Sequence, residues 1–246
     1  MSSNHETIGI PALDKYLGGG VPKGFTILVV GRPGSGTEYL AKQFASAGDV
    51  VTTYFTTTET DEDITSAMKE RGWKPNVKII NIGVQYYETV LEKRLEISRY
   101  RQEGLKYEDL KKAKGEKDMF EVNYLTSLAY EVSKLPTPFR VVVDSLDFFL
   151  ENYDTSEVLS AMRTIKAHTQ HSDSITLITL LKNVLEARVQ SSIEDMADMI
   201  IELERDTVDH EVKKFLVIQK VRNNPGLVGS LPCVFGSQGI ELQTKS

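Results

Sequence analysis

Residues 25–30 (FTILVV) form an apolar run that ends at Gly31 and shows no alternation of polar and apolar positions. An extended segment with no polar face must be buried on both sides, and sheets buried on both sides are parallel sheets covered by helices. The rest of the chain repeats this demand. Residues 50–57, 77–82, 139–143, 175–181 and 199–203 read as further strands, with helix-length amphipathic segments between them. A helix is expected over 39–47, and another opens at Asp61, Glu62 and Asp63, where carboxylates favour the positive end, and stops near Gly72. The expected fold class is α/β, with a mostly parallel central sheet. Past residue 211 the character changes: strands at 211–219 and 231–235, with turns at 223–226 and Gly236, predict an antiparallel C-terminal edge.

Composition narrows the partners. The formal charge is −6, so the whole surface is no non-specific phosphate binder and any nucleic-acid contact must be a local patch. One cysteine, Cys233, excludes a disulfide framework and a thiolate metal site and suits a reducing interior. The opening residues lack the pattern of a secretory leader, and no apolar run approaches the ~18 residues that cross a bilayer. A cytoplasmic protein without a membrane partner is expected. No linker or repeat divides the chain, so one domain is expected over 1–246.

Residues 86–118 stand apart as a densely charged helical excursion, whose apolar pattern (Tyr87, Val90, Leu91, Leu95) fades after Ile97. Tyr86, Tyr87, Tyr100, Tyr107, Tyr124 and Tyr130 fall at or just beyond it. A solvated helical hairpin broken at Gly104 is the simpler reading, and a partner surface the alternative.

The stretch Gly31-Arg32-Pro33-Gly34-Ser35-Gly36-Thr37-Glu38 leaves a buried strand and opens a helix, which is where a phosphate-binding loop sits. The spacing from Gly31 to Gly36 fits G-x-x-x-x-G. Lys and then Ser or Thr should follow, the first for the β/γ-phosphates and the second for Mg²⁺; Thr37 and Glu38 stand there instead. The loop keeps its shape and loses its cation. Glu38 either ligates Mg²⁺ directly or places its charge at the helix N-terminus in imitation of a phosphate, and Lys42 is spaced to pair with it. Arg32 is the one cation within the loop and a possible substitute for the lysine.

The lead-in from Ile8 to Gly24, IGIPALDKYLGGGVPKG, resembles the opening of the RecA superfamily in its archaeal RadA-paralogue and KaiC-like branch, with Gly18, Gly19 and Gly20 at the family turn. The resemblance implies a RecA-like, P-loop three-layer fold binding ATP or ADP with Mg²⁺. It places Glu59 at the second acid of a catalytic pair, with Thr58 in place of the first. Residues 140–146 resemble the Walker B strand, with Asp144 as the acid that holds the metal-bound water. Lys220 and Arg222 match a K-x-R element that reaches a neighbouring subunit's γ-phosphate, and residues 193–198 match a further family segment.

The combination implies a regulatory or scaffolding member with weak or absent hydrolysis. Such a protein would act through protein partners, in a homo-oligomer or beside an intact family member. The alternatives are an ATPase with an altered loop and a DNA-binding recombination mediator, the latter resting on a basic cluster at Lys213, Lys214, Lys220 and Arg222. His5, His168, His171 and His210 have no ligand-like spacing; His168 and His171 are expected to offset a helix dipole. Tyr54, Phe55 and Phe215 are expected in the core.

Overall fold

A computed structural model describes residues 4–74, 76–91, 94–95, 98–99, 102, 122–208 and 211–243. It is an α/β structure built on one nine-stranded sheet. Strands β3 (Thr26–Gly31), β4 (Thr52–Thr56), β5 (Val77–Asn81), β6 (Arg140–Asp144), β7 (Ile175–Leu181) and β8 (Met199–Val208) run parallel. Then β9 (Glu211–Val221), β10 (Gly229–Gly236) and β11 (Gly239–Leu242) continue the sheet antiparallel. The order is β11-β10-β9-β8-β3-β7-β6-β4-β5, which leaves β3 in the interior as its unbroken apolar run requires.

Successive residues of β3 serve opposite faces. Ile27 and Val29 join the core under α1 (Pro11–Tyr16), α2 (Thr37–Ser46) and α3 (Asp61–Glu70). Leu28 and Val30 join the core under α5 (Tyr124–Ser133), α6 (Asp147–Asn152), α7 (Thr155–His171) and α8 (Ala187–Met196), and α4 is the short helix Ile82–Tyr86 after β5. Three layers follow from the two-sided burial of the parallel strands. The expected strands and antiparallel edge are all present, with ends shifted by a few residues. Unforeseen were β11 and a two-stranded ribbon of β1 (His5–Glu6) with β2 (Val21–Pro22), both too short to carry a periodic signal.

The ribbon is closed by the glycine turn. Gly19 and Gly20 donate backbone N–H bonds to the Asp14 carbonyl at 2.7 and 3.0 Å, and a Cβ on Gly20 would overlap the Glu6 carbonyl. Asp14 accepts from Thr7 Oγ1 at 2.5 Å and from Ile8 N at 2.8 Å. Arg140, 1% exposed, ties this segment to the sheet. It donates to the Thr7 and Phe44 carbonyls at 3.1 and 2.9 Å and pairs with Glu6, while burial pulls its pKa down to about 10.

Of the excursion expected at 86–118, residues 103–118, with Gly104 and Tyr107, lie outside the described residues, as does Tyr100. A π-helical turn at Tyr87–Leu91 carries Val90 into the core while Tyr87 and Leu95 stay exposed. Tyr86 and Tyr124 pack edge to face, their rings 6.1 Å apart, and Tyr86 Oη donates to Asn152 at 2.9 Å, so these two serve packing. Phe215 is half-buried rather than core, because β9 is covered on one face only. His168 stacks on Phe139 with ring centroids 5.1 Å apart. Among the described residues no helix is long and apolar enough to cross a membrane.

Candidate functional site

Strand β3 ends at Gly31, and the chain curls through residues 32–36 into α2. Gly36, at the N-cap, has φ +97°, which an L side chain rarely adopts, and no side chain caps the helix. The first N–H groups of α2 therefore face the loop without partners from the helix itself. A Cβ on Gly31 would overlap Ser35 Oγ, and one on Gly36 would stand 2.7 Å from Phe235 Cε1. Ser35 is 4% exposed, and its hydroxyl has no hydrogen-bond partner. Two features suit an anion, the N–H groups of an uncapped helix N-terminus and an unsatisfied hydroxyl. The phosphates of ATP or ADP fit this loop.

Arg32, Pro33 and Gly34 are exposed, and Arg32 has no hydrogen-bond or ion-pair partner among the described residues. Glu38 is exposed, with Thr37 Oγ1 3.5 Å from its carboxylate. The expected pairing of Lys42 with Glu38 does not form. Lys42 sits on the buried side of α2, and its Nζ lies 2.5 Å from Glu59 Oε2, the two side chains being 5% and 28% exposed. Positions 38 and 42 share a face of α2, but Glu38 stands in the exposed first turn, while Lys42, one turn further on, is covered by the loop after β4.

The loop holding Glu59 is itself fixed. Glu59 N donates to Thr56 Oγ1 at 3.2 Å, and Asn81 Nδ2 donates to the Glu59 carbonyl at 3.0 Å. Asp144, at the end of β6 as expected, is 4% exposed. It accepts from Tyr54 Oη and from Thr179 Oγ1, each at 2.6 Å, on its two carboxylate oxygens. Burial first, and then the Asp144 carboxylate, hold the Tyr54 phenol well above its ordinary pKa, so it stays a donor. The Asp144–Ser145 peptide is cis.

These positions fit Mg²⁺ poorly. Each Asp144 oxygen already accepts one hydroxyl, a carboxylate replaces the usual hydroxyl at position 38, and no group of three His, Cys, Asp or Glu among the described residues is arranged to hold a metal.

Lys220 and Arg222 lie elsewhere. Lys220 is registered against Ile200 and donates to the Glu194 and Asp195 carbonyls at 3.0 Å, while Arg222 meets Asp198 at 2.8 Å. This corner is at the amino end of β8, whose Met199 pairs with Ile27, whereas the loop begins at Gly31 opposite Leu203. Four residues of strand, roughly 13 Å, separate the two rows. Neither side chain serves the phosphate loop of its own chain.

The antiparallel edge instead closes over the loop, which the sequence reading did not foresee. Arg205 on β8 and Lys214 on β9 are direct cross-strand partners. Arg205 Nη1 is 3.6 Å from where a Cβ on Gly34 would be, and Lys214 Nζ stands 3.9 Å over the ring of Phe235. Tyr39 of α2 fixes the hairpin by donating to the Gly236 carbonyl at 3.0 Å and meeting Phe235 edge to face. Position 214 lay within the basic cluster noted in the sequence, but only the pairing register joins it to Arg205.

A glycine loop at the carboxyl end of a central parallel strand, a helix opening from it and an acid at the end of a nearby strand define a RecA-like P-loop protein. A family model described as "ATPase: KaiC" matches residues 7–246, and the chain belongs to that family. Among solved structures it is similar to a KaiC-like protein from the hyperthermophilic archaeon Pyrococcus horikoshii. The identity is 19% and the TM-score 0.69, with 98% of this chain and 99% of that one covered, a likeness of fold. No curated protein matches the chain significantly.

Proposed function

We propose that the protein is a regulatory or scaffolding member of the KaiC family, with weak or absent ATP hydrolysis, that acts through protein partners. What carries the reading is the state of the two family acids. Glu59 is neutralised by the buried Lys42 ammonium, and each Asp144 oxygen already accepts a hydroxyl, one from Tyr54 and one from Thr179. A general base must be free to accept a proton from water, and an ion-paired carboxylate is a poor one. The phosphate loop adds no lysine, and Glu38 repels the phosphate chain it adjoins. Bound ATP would bring a transferable γ-phosphoryl group; the chain's own residues hold the phosphates at 31–38 without aligning water against them.

Lys220 and Arg222 are held at the far end of the sheet, a placement suited to a neighbouring subunit of a homo-oligomer or to an intact family member. Nucleic-acid binding is not part of the proposal, because a formal charge of −6 gives the chain no general attraction to a phosphate backbone. The single cysteine suits a cytoplasmic setting.

Phosphate release from ATP, measured for the wild type, Glu59→Gln and Thr37→Lys/Glu38→Thr, tests the reading. The wild type is expected at the background set by Glu59→Gln. The loop-restored variant is expected to remain slow until Lys42→Met is added to release Glu59. Wild-type hydrolysis that Glu59→Gln abolishes would establish the altered-loop ATPase instead and overturn the proposal. Light scattering then follows a complex with an intact family member.

A further inference from the structure

We propose that Arg205 and Lys214, from the antiparallel edge, supply the counter-charge that the loop lacks and make it a site for a condensed phosphate chain held without Mg²⁺. The inference rests on the reading of the loop as a phosphate cradle that does not hydrolyse. Like charges directly opposite each other on adjacent strands repel, and Arg205 and Lys214 are such a pair. Arg205 has no hydrogen-bond or ion-pair partner among the described residues, so nothing there offsets the repulsion.

Side chains alternate along a strand, and Leu203, on the same face as Arg205, packs in the core beneath α2. Arg205 therefore projects on the α2 side, beside the loop, where its Nη1 approaches Gly34. The acids that flank it face the other way. Glu204 lies 3.7 Å from Lys182, and Asp206 is registered against Lys213. On the loop side, Ser35 Oγ is buried without a partner within the curl, and α2 has no side-chain cap. Glu38 is the one carboxylate of the loop, and it is exposed.

An anion between the loop amides and the Arg205–Lys214 pair would satisfy both sides at once. A guanidinium engages two phosphate oxygens together, which suits a diphosphate better than a single small anion. Metal is not needed for this charge balance, because Arg205 beside Gly34 and its cross-strand partner Lys214 bring two positive charges in place of the usual lysine and bound ion.

Calorimetric titration of the full chain with inorganic pyrophosphate and with ADP, in EDTA and again in Mg²⁺, tests the inference. Pyrophosphate is expected to bind in EDTA at least as tightly as in Mg²⁺. Arg205→Ala should weaken it roughly tenfold, the loss of one charged hydrogen-bonded contact. Lys214→Ala should weaken it less, and Arg205→Lys should restore part of the loss. Both Arg205 and Lys214 are at least partly exposed, and unchanged melting temperatures would verify folding.

Binding that requires Mg²⁺ overturns the inference, as does pyrophosphate affinity indifferent to Arg205→Ala. Binding of ADP but not pyrophosphate puts the affinity on the nucleoside and also overturns it, and so does failure of both to bind. None of these results restores hydrolysis, so the proposed regulatory role is tested separately by phosphate release.

Discussion

Removing Glu59 should harm the protein more than removing Lys42, although the two form one ion pair. At 2.5 Å and an effective dielectric constant of ~20 the attraction is roughly 7 kcal/mol, and desolvation of the ions returns several kcal/mol, so the intact pair nets little. The single deletions are unequal because the partners are unequally buried. Glu59→Ala strands an ammonium on a side chain only 5% exposed, which costs about 3 kcal/mol, the lower end for a broken buried pair. Lys42→Met keeps the apolar stem packed and leaves a carboxylate that is already 28% exposed and can turn to water, at about 1 kcal/mol.

In a chain of 246 residues a loss of 1 kcal/mol lowers Tm by about 2–4 °C. Drops of roughly 6–12 °C for Glu59→Ala and 2–4 °C for Lys42→Met follow. The double variant should lie close to Lys42→Met, giving a coupling of about 3 kcal/mol. Urea and thermal unfolding followed by circular dichroism at neutral pH measure all four corners of the cycle. If Lys42→Met proves the costlier change, or the two effects simply add, the pairing argument is refuted, and with it the neutralisation of Glu59.

Three further outcomes are expected. Burial raises the Asp147 carboxyl above its usual 3.8, against hydrogen bonds from Ser145 and Leu181, so the unfolded chain gives up this proton first and stability falls as pH rises from that value through the folded pKa. Asp147→Asn should therefore gain stability relative to wild type as pH rises from about 4, and urea midpoints that move in parallel would contradict this. Burial pushes the Cys233 thiol up to about 11, against a small opposing pull from Lys214, so a disulfide reagent at mildly alkaline pH should label it only after denaturant is added; rapid labelling of the native protein would argue otherwise. Gly36→Ala meets both a φ of +97° and the Phe235 ring and should cost about 2 kcal/mol or more, of which Phe235→Ala recovers only the steric part, and a double variant as stable as Phe235→Ala alone would disprove the backbone share.

The fold was legible in the sequence because its strongest signals are local. Six apolar residues in a row at 25–30 admit no exposed face, and the acid run at 61–63 with Thr60, whose hydroxyl accepts from Asp63 N, marks a helix start. The phosphate loop was legible for the same reason: the glycines at 31, 34 and 36 set a backbone path within six residues. Short ribbons such as β1–β2 and β11 escaped, since two to four residues show no period and form only when another segment offers its edge.

The electrostatics of the site were decided by tertiary structure alone. Spacing along one helix favoured Glu38 for Lys42, but the loop after β4, which covers Lys42, brought it a partner 17 residues away. Asp144 could be read as a strand-end acid, yet its two hydroxyl partners, Tyr54 and Thr179, come from the adjacent strands on either side. Arg205 and Lys214 became neighbours through the β8–β9 register and reached the loop only because the antiparallel edge folds back past Gly34 and Gly36. Sequence periodicity fixes which face of an element is buried, because burial of apolar surface is non-directional; which charge meets which depends on a few ångströms of separation, and those are set by packing between elements far apart in the chain.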